Sequence, residues 1–213
     1  MKSHFLIIAL VLSSLLSLSA QTRLGTTPRI INRADNHYYE LDSLLLGEEY
    51  SKQVFMGFAM LTKNAFGNNA CLRSNYDFAN KNAELVYLVV NRDERVRKGQ
   101  KIVTTYRCSI SDETFLALND LFTDAVYASI PGSIVYGADG VLYEFLSGES
   151  LSAECWCPQL HSDSNCARLV SLIEKVEIAV RDDDSESIEG LRPDILSLSI
   201  IFKQLRAAST ISD

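Results

Sequence analysis

A twelve-residue segment in the last third of the chain carries the most distinctive chemistry. It contains three thiols, Cys155, Cys157 and Cys166, together with His161, and Trp156 separates the first two cysteines. Thiolate sulfur and imidazole nitrogen are ligands that suit zinc or Cu(I), so these four side chains could hold such a metal. Their spacing matches no standard zinc signature, and a thioredoxin-type motif needs two residues between its cysteines instead of one.

The same thiols have a structural interpretation, which we favour over a metal or redox site. Either Cys155 or Cys157 pairs with Cys166 and closes a short loop, which stabilises the fold by about 3 kcal/mol through the chain entropy of the unfolded state. Cys71 and Cys108 form the candidate second disulfide. Since the chain has five cysteines, at least one thiol remains unpaired or pairs between chains.

The N-terminal residues have the makeup of a secretory signal peptide. Lys2 supplies a positive start, an apolar run follows from Phe5, and small residues lead to Ala20. The apolar run is shorter than the roughly 20 residues of a membrane helix, so we expect no stable membrane span after signal cleavage. We therefore predict a signal peptide at 1–20 and a single secreted or periplasmic domain at 21–213, in an oxidising compartment that favours disulfides. The alternative is that the leader stays uncleaved as an N-terminal anchor.

Charge and composition limit the classes of partner. The chain has 20 basic and 27 acidic residues, and because Lys2 is the only charged residue of the leader, the mature balance is 19 − 27 = −8. An acidic protein of this kind is not expected to bind nucleic acid or an anionic membrane. The 47% apolar and 22% charged residues are typical of a globular domain with a core of its own.

Three stretches have the helical pattern of apolar residues at three- and four-residue steps. Ser109, Ser111 and Asp112 offer capping side chains at the start of the first stretch, and Pro193 suits the first turn of the last. The predicted helices cover about 111–128, 165–180 and 193–207.

Two hairpins are predicted, at about 84–108 and 134–145. The first joins a continuous apolar run to an alternating one, and the second has Asp139-Gly140 between β-rich runs, a pair that favours tight turns. A lone hairpin is marginally stable, so the two must share a sheet and the helices must cover it. The predicted fold class is therefore α+β, an antiparallel sheet with three helices packed mainly on one face.

Two further stretches give weaker signals. The apolar stretch 54–61 suits either a buried strand or a short buried helix. Residues 64–82 are rich in Asn and Gly, and they predict a long loop that carries Cys71.

Three aromatic residues are candidates for a binding face. Tyr136 and Tyr143 lie on either side of the second predicted turn, where they become cross-strand neighbours, and Trp156 follows in the cysteine-rich segment. Aromatic side chains often carry much of the energy of an interface. The alternative is that these rings line the core.

No catalytic motif is present in the sequence. It contains no nucleophile elbow, no zinc-protease helix, no phosphate-binding glycine loop and no dinucleotide fingerprint. We therefore predict an exported, non-enzymatic domain that binds an unknown protein or envelope component and needs no cofactor. The alternative is a small exported metal-binding or redox protein that uses the segment from Cys155 to Cys166.

Overall fold

The computed structural model describes residues 24–28, 39–46, 57–77, 80–90, 103–131, 140–148, 151–158 and 163–210. The signal peptide predicted for 1–20 lies outside the described residues, as do two of the candidate site residues, Tyr136 and His161.

The described part of the chain forms one sheet and five helices, which confirms the predicted α+β class. The strands are β1 Gly25–Pro28, β2 Phe58–Asn64, β3 Asn69–Asp77, β4 Asn82–Val90, β5 Val103–Ile110, β6 Ile130–Pro131, β7 Val141–Ser147 and β8 Leu151–Trp156. The helices are α1 Tyr39–Leu46, α2 Asp112–Tyr127, α3 Asn165–Arg181, α4 Ser185–Gly190 and α5 Arg192–Thr210.

The sheet has the strand order β5-β4-β3-β2-β7-β8-β1-β6. All neighbours from β5 to β1 pair antiparallel, and the short strand β6 pairs parallel with β1. The pairing of β4 with β5 confirms the paired, extended backbone predicted for the two arms of the first hairpin, with Leu85 opposite Cys108, while residues 91–102 between them lie outside the described ranges.

The last strand of the second predicted hairpin pairs with other strands than the one predicted. Its final strand exists as β7, whose Phe145 lies opposite Met60 of β2 on one edge and opposite Ala153 of β8 on the other. The observed antiparallel partners of β7 are therefore β2 and β8. The earlier strand of that hairpin falls within 132–139, outside the described residues.

The long loop predicted for 64–82 is wrong, because strand β3 occupies residues 69–77 of it. This strand pairs with β2 on one edge and β4 on the other, so its backbone hydrogen bonds are satisfied within the sheet despite its polar sequence. Its polar side chains also find partners, as where Ser74 Oγ accepts a hydrogen bond from the backbone N–H of Phe58 at 3.0 Å. The preceding stretch 54–61, which suited either a strand or a helix, forms a strand from Phe58 onward, as part of β2.

The three predicted helices are confirmed as α2, α3 and α5. Ser111 caps α2 and Ser164 caps α3, each accepting a hydrogen bond from the backbone N–H three residues ahead. The helices α2, α3, α4 and α5 bury their apolar stripes in one cluster with one face of the sheet, which we call the helix-covered face. Residues of α1 lie on the opposite face, where Leu45 and Leu46 pack with Leu61, Leu88 and Leu146.

Helix α3 crosses the sheet from one side to the other. Its first turn contacts β8 through Cys166 and Cys155, and the acidic residues just past its end reach Cys108 of β5. The helix has 17 residues, which at 1.5 Å each gives about 26 Å, close to the roughly 24 Å spanned by six strands. One helix therefore ties together strands that are remote from each other in the sheet.

Candidate functional site

The structure brings two of the three clustered thiols together. Cys155 points from β8 into the helix-covered face and is fully buried, and Cys166 in the first turn of α3 is 1% exposed. The Cys155 thiol is hydrogen-bonded to that of Cys166, and this bond together with burial raises the pKa of Cys155 well above its usual value. Cys155 is therefore held as a neutral thiol beside Cys166.

Cys157 has a different environment. It follows the end of β8, where its φ of 43° is left-handed, so the alternation of the strand ends at Trp156. Its Sγ accepts a hydrogen bond from the backbone N–H of Val141 at 3.2 Å, and the residue is partly exposed. Gly140 makes this packing possible, since a Cβ there would lie 2.3 Å from the Cys157 sulfur.

The described residues of this segment do not form a set of metal ligands. Within the described ranges, no group of three or more His, Cys, Asp or Glu side chains is arranged to hold a metal ion. His161, which completes the predicted set, lies outside them.

The candidate second disulfide is not brought together. Cys71 packs against Leu45 and Leu46 on the α1 side of the sheet, whereas Cys108 belongs to the helix-covered face. The sheet itself separates the two thiols, and none of the five cysteines, all of which lie within the described ranges, forms a disulfide in the structure. Burial and the nearby carboxylate of Asp183 raise the pKa of Cys108 to about 11, so this thiol is protonated at neutral pH.

The candidate binding aromatics do not form one exposed face. Tyr143 is 4% exposed and lies in the helix-covered core, where its hydroxyl donates to Glu174 Oε1 at 3.0 Å. Trp156 is partly buried and packs beside Gly140. Tyr143 therefore lines the core, which is the alternative to a binding role.

Sequence reasoning missed a buried acid on α3. Glu177 lies one turn beyond Glu174, and its Oε1 is buried with no hydrogen-bond partner in the described part of the chain. Burial, followed by the charge of Glu174, raises the pKa of Glu177 to about 8. The pKa of Tyr87 is raised as well, mainly by burial and additionally by the charge of Glu177. The sequence feature that could have revealed Glu177 is its position within the apolar stripe of Ile173 and Val180, which a carboxylate interrupts.

An open groove of about 480 Å³ lies between α3 and α5. Its volume is within the range of small-ligand sites, which is about 300–1,000 Å³. The lining includes charges of both signs and two hydroxyl groups over a short apolar floor. These residues are Ala167, Arg168, Ser171, Leu172, Glu174, Lys175, Asp194, Ser197 and Leu198.

The opposite face of the sheet carries a buried ion pair. Lys63 Nζ of β2 donates to Glu144 Oε2 of β7 at 2.7 Å, and the residues are 7% and 8% exposed. Nearby, the guanidinium of Arg73 donates to the backbone carbonyl of Leu46 at 2.8 Å, which fixes the end of α1 to the sheet. The charged groups on this face therefore have partners across neighbouring elements.

Comparisons with known protein families, curated proteins and solved structures found no match for this chain. None of the described helices is both long and apolar enough to cross a membrane.

Proposed function

We propose that this chain is an exported, non-enzymatic binding domain and that the groove between α3 and α5 is its ligand site. The observation that carries the proposal is the groove itself, a cleft of ligand-binding size with charged and hydroxyl groups on both walls. The partner is a protein or an envelope component that presents a polar segment.

The walls of the groove are rigid because each is anchored in the core. Helix α3 buries nine residues in the described core, and α5 is held by Ile195, Leu198 and Phe202. Glu174 is held in place by the hydroxyl of Tyr143, so its carboxylate is oriented before any ligand arrives. A preformed site loses little conformational entropy on binding.

The charges of the groove indicate the chemistry of the ligand. Arg168 and Lys175 provide cations along α3, while Glu174 and Asp194 provide anions on the two walls. A ligand that carries both charges, such as a polar peptide segment, can satisfy both sets at once. The acidic net charge, −7 for the full chain, argues against nucleic acid as the partner.

The export part of the proposal rests on the leader-like residues 1–20. We expect the protein recovered from an exporting cell to begin at Gln21, which intact-mass measurement will test. Retention of the first twenty residues would contradict signal cleavage.

The binding site can be tested by crosslinking in the exporting cell. A photoreactive amino acid at Ser171, which is exposed in the groove, is expected to give one discrete adduct. The matched control places it at Asp120, which is exposed on α2 and does not line the groove. Adding Lys175→Glu to the Ser171 probe should reduce the adduct several-fold. Equal crosslinking at the two positions, or no adduct at Ser171, would reject the groove as the site.

One observation favours the alternative of a small exported redox or metal-binding protein, namely the contact between Cys155 and Cys166. Both residues are buried, however, and thiols that exchange in solution need access to their partners. The contact is better suited to a structural bond than to a redox cycle.

A further inference from the structure

We infer that Cys155 and Cys166 form a disulfide in the exported protein and that Cys157 stays a thiol. This inference rests on the proposed export, because it requires an oxidising compartment, and it selects one of the two pairings that the sequence leaves open.

The geometry distinguishes the two pairings. Cys155 and Cys166 lie in the same buried cluster, in β8 and in the first turn of α3, with their thiols in contact. Cys157 is instead turned into a left-handed conformation, and its sulfur is engaged by the backbone N–H of Val141. Pairing of Cys157 with Cys166 would break that hydrogen bond and require the end of β8 to move.

The Cys155–Cys166 disulfide would hold one wall of the proposed ligand site in place. Cys166 is adjacent to Ala167 and Arg168, which begin the α3 wall of the groove. A covalent link from β8 to the first turn of α3 therefore fixes this wall to the sheet. Cys71 and Cys108 lie on opposite faces of the sheet, so these two thiols do not pair with each other.

The chemistry requires a disulfide oxidant, such as glutathione disulfide or an exported thiol–disulfide oxidoreductase. The thiolate of one cysteine attacks the oxidant and forms a mixed disulfide, releasing one reduced thiol. The second cysteine, as its thiolate, then attacks the protein sulfur and releases the other thiol of the oxidant. The chain loses two electrons and two protons, and the oxidant gains them. Because both sulfurs are buried once the protein has folded, oxidation should be fast during refolding and slow afterwards.

Refolding from denaturant in a glutathione redox buffer tests the pairing independently of export. Free thiols are then alkylated under denaturing conditions and counted by mass spectrometry. The wild type should show three free thiols and C157S two, whereas C155S and C166S should each show four. The oxidised wild type should melt roughly 6–12 °C above its reduced form.

Two results would overturn the inference. Five free thiols in the refolded wild type would show that no disulfide forms. Loss of the disulfide in C157S with its retention in C155S would show that Cys157 is the true partner of Cys166.

A second preparation separates this inference from the export proposal. Protein from an exporting cell, trapped by acid and alkylated, should contain the same disulfide. If the bond forms during refolding but the cellular protein is fully reduced and keeps residues 1–20, the export proposal fails while the pairing stands. If the cellular protein is exported with five free thiols, the inference fails and export stands.

Discussion

The two faces of the sheet bury charge in contrasting ways. On the helix-covered face, the carboxyl of Glu177 is buried without a hydrogen-bond partner for Oε1 in the described ranges, and its pKa is raised to about 8. On the opposite face, Lys63 and Glu144 are also buried, but the Lys63 ammonium donates a hydrogen bond to the Glu144 carboxylate within one ion pair. An isolated acid responds to burial by keeping its proton, whereas a paired acid can remain charged. The first face should therefore be sensitive to pH, and the second to the loss of one partner.

The largest expected effect is the pH dependence due to Glu177. Its pKa is higher in the folded protein, about 8, than in the unfolded chain, about 4.5, so its contribution to stability is fully present below pH 4.5 and declines as pH rises to 8. Because a tenfold difference in proton affinity corresponds to about 1.36 kcal/mol, the loss is at most about 5 kcal/mol. Urea unfolding from pH 5 to pH 9 should show the decline in the wild type but not in Glu177→Gln.

The matched control for this experiment is Glu186→Gln, at an exposed site on α4. It should retain the decline seen in the wild type. A wild-type stability that is flat between pH 5 and pH 9 would show that Glu177 is not an uncompensated buried acid.

The next effect concerns the opposite face. Lys63→Met leaves Glu144 buried without its cation, and breaking a buried pair on one side costs about 3–5 kcal/mol. Replacing both residues, as Lys63→Met with Glu144→Leu, should recover most of that loss because no buried charge remains. The free energy of unfolding in urea measures both. A double variant as unstable as the single one would mean that the ion pair is not the source of the loss.

A smaller effect is expected at the junction of α2 and α4. The carboxylate of Glu189 accepts hydrogen bonds from the backbone N–H and the hydroxyl of Ser111, at 2.8 and 2.9 Å, and from the hydroxyl of Thr114. Burial alone would raise the pKa of Glu189, but these bonds and the charge of Arg192 outweigh it and lower the pKa. The contribution to stability is present above the unfolded pKa and is lost as pH falls through the folded one.

Glu189→Gln should therefore cost about 1 kcal/mol at pH 7, the typical worth of a helix cap, and nothing once the wild-type carboxyl is protonated in acid. Thermal unfolding at pH 7 and at about pH 3 compares the two conditions. An equal cost at both would indicate lost packing in place of lost charge.

The smallest effect is at an exposed pair on the α1 side of the sheet. The guanidinium of Arg107 contacts the carboxylate of Glu84, but the Arg107 side chain is 55% exposed. Exposed pairs typically contribute about 0.2–1 kcal/mol and are screened by salt. Arg107→Met should thus lower the free energy of unfolding far less than Lys63→Met does. A comparable loss would remove the distinction between buried and exposed charge on this face.

The sequence alone determined those elements whose signals are local. Helix α2 has a capping serine and apolar residues at helical spacing, and β4 has a continuous run of β-forming residues, so both were predicted near their observed positions. Propensity and periodicity describe a residue and its near neighbours in the chain, which is sufficient for a helix or a well-patterned strand.

The tertiary structure decided what depends on distant partners. Strand β3 is extended because β2 and β4 supply its hydrogen bonds, although its own sequence resembles a loop. Cys155 meets Cys166, and Cys71 is kept from Cys108, because α3 lies across the sheet and the sheet separates its two faces. The raised pKa of Glu177 likewise arises from the burial that this packing creates. Contacts between residues far apart in the chain leave no periodic trace in the sequence, so only the folded chain shows them.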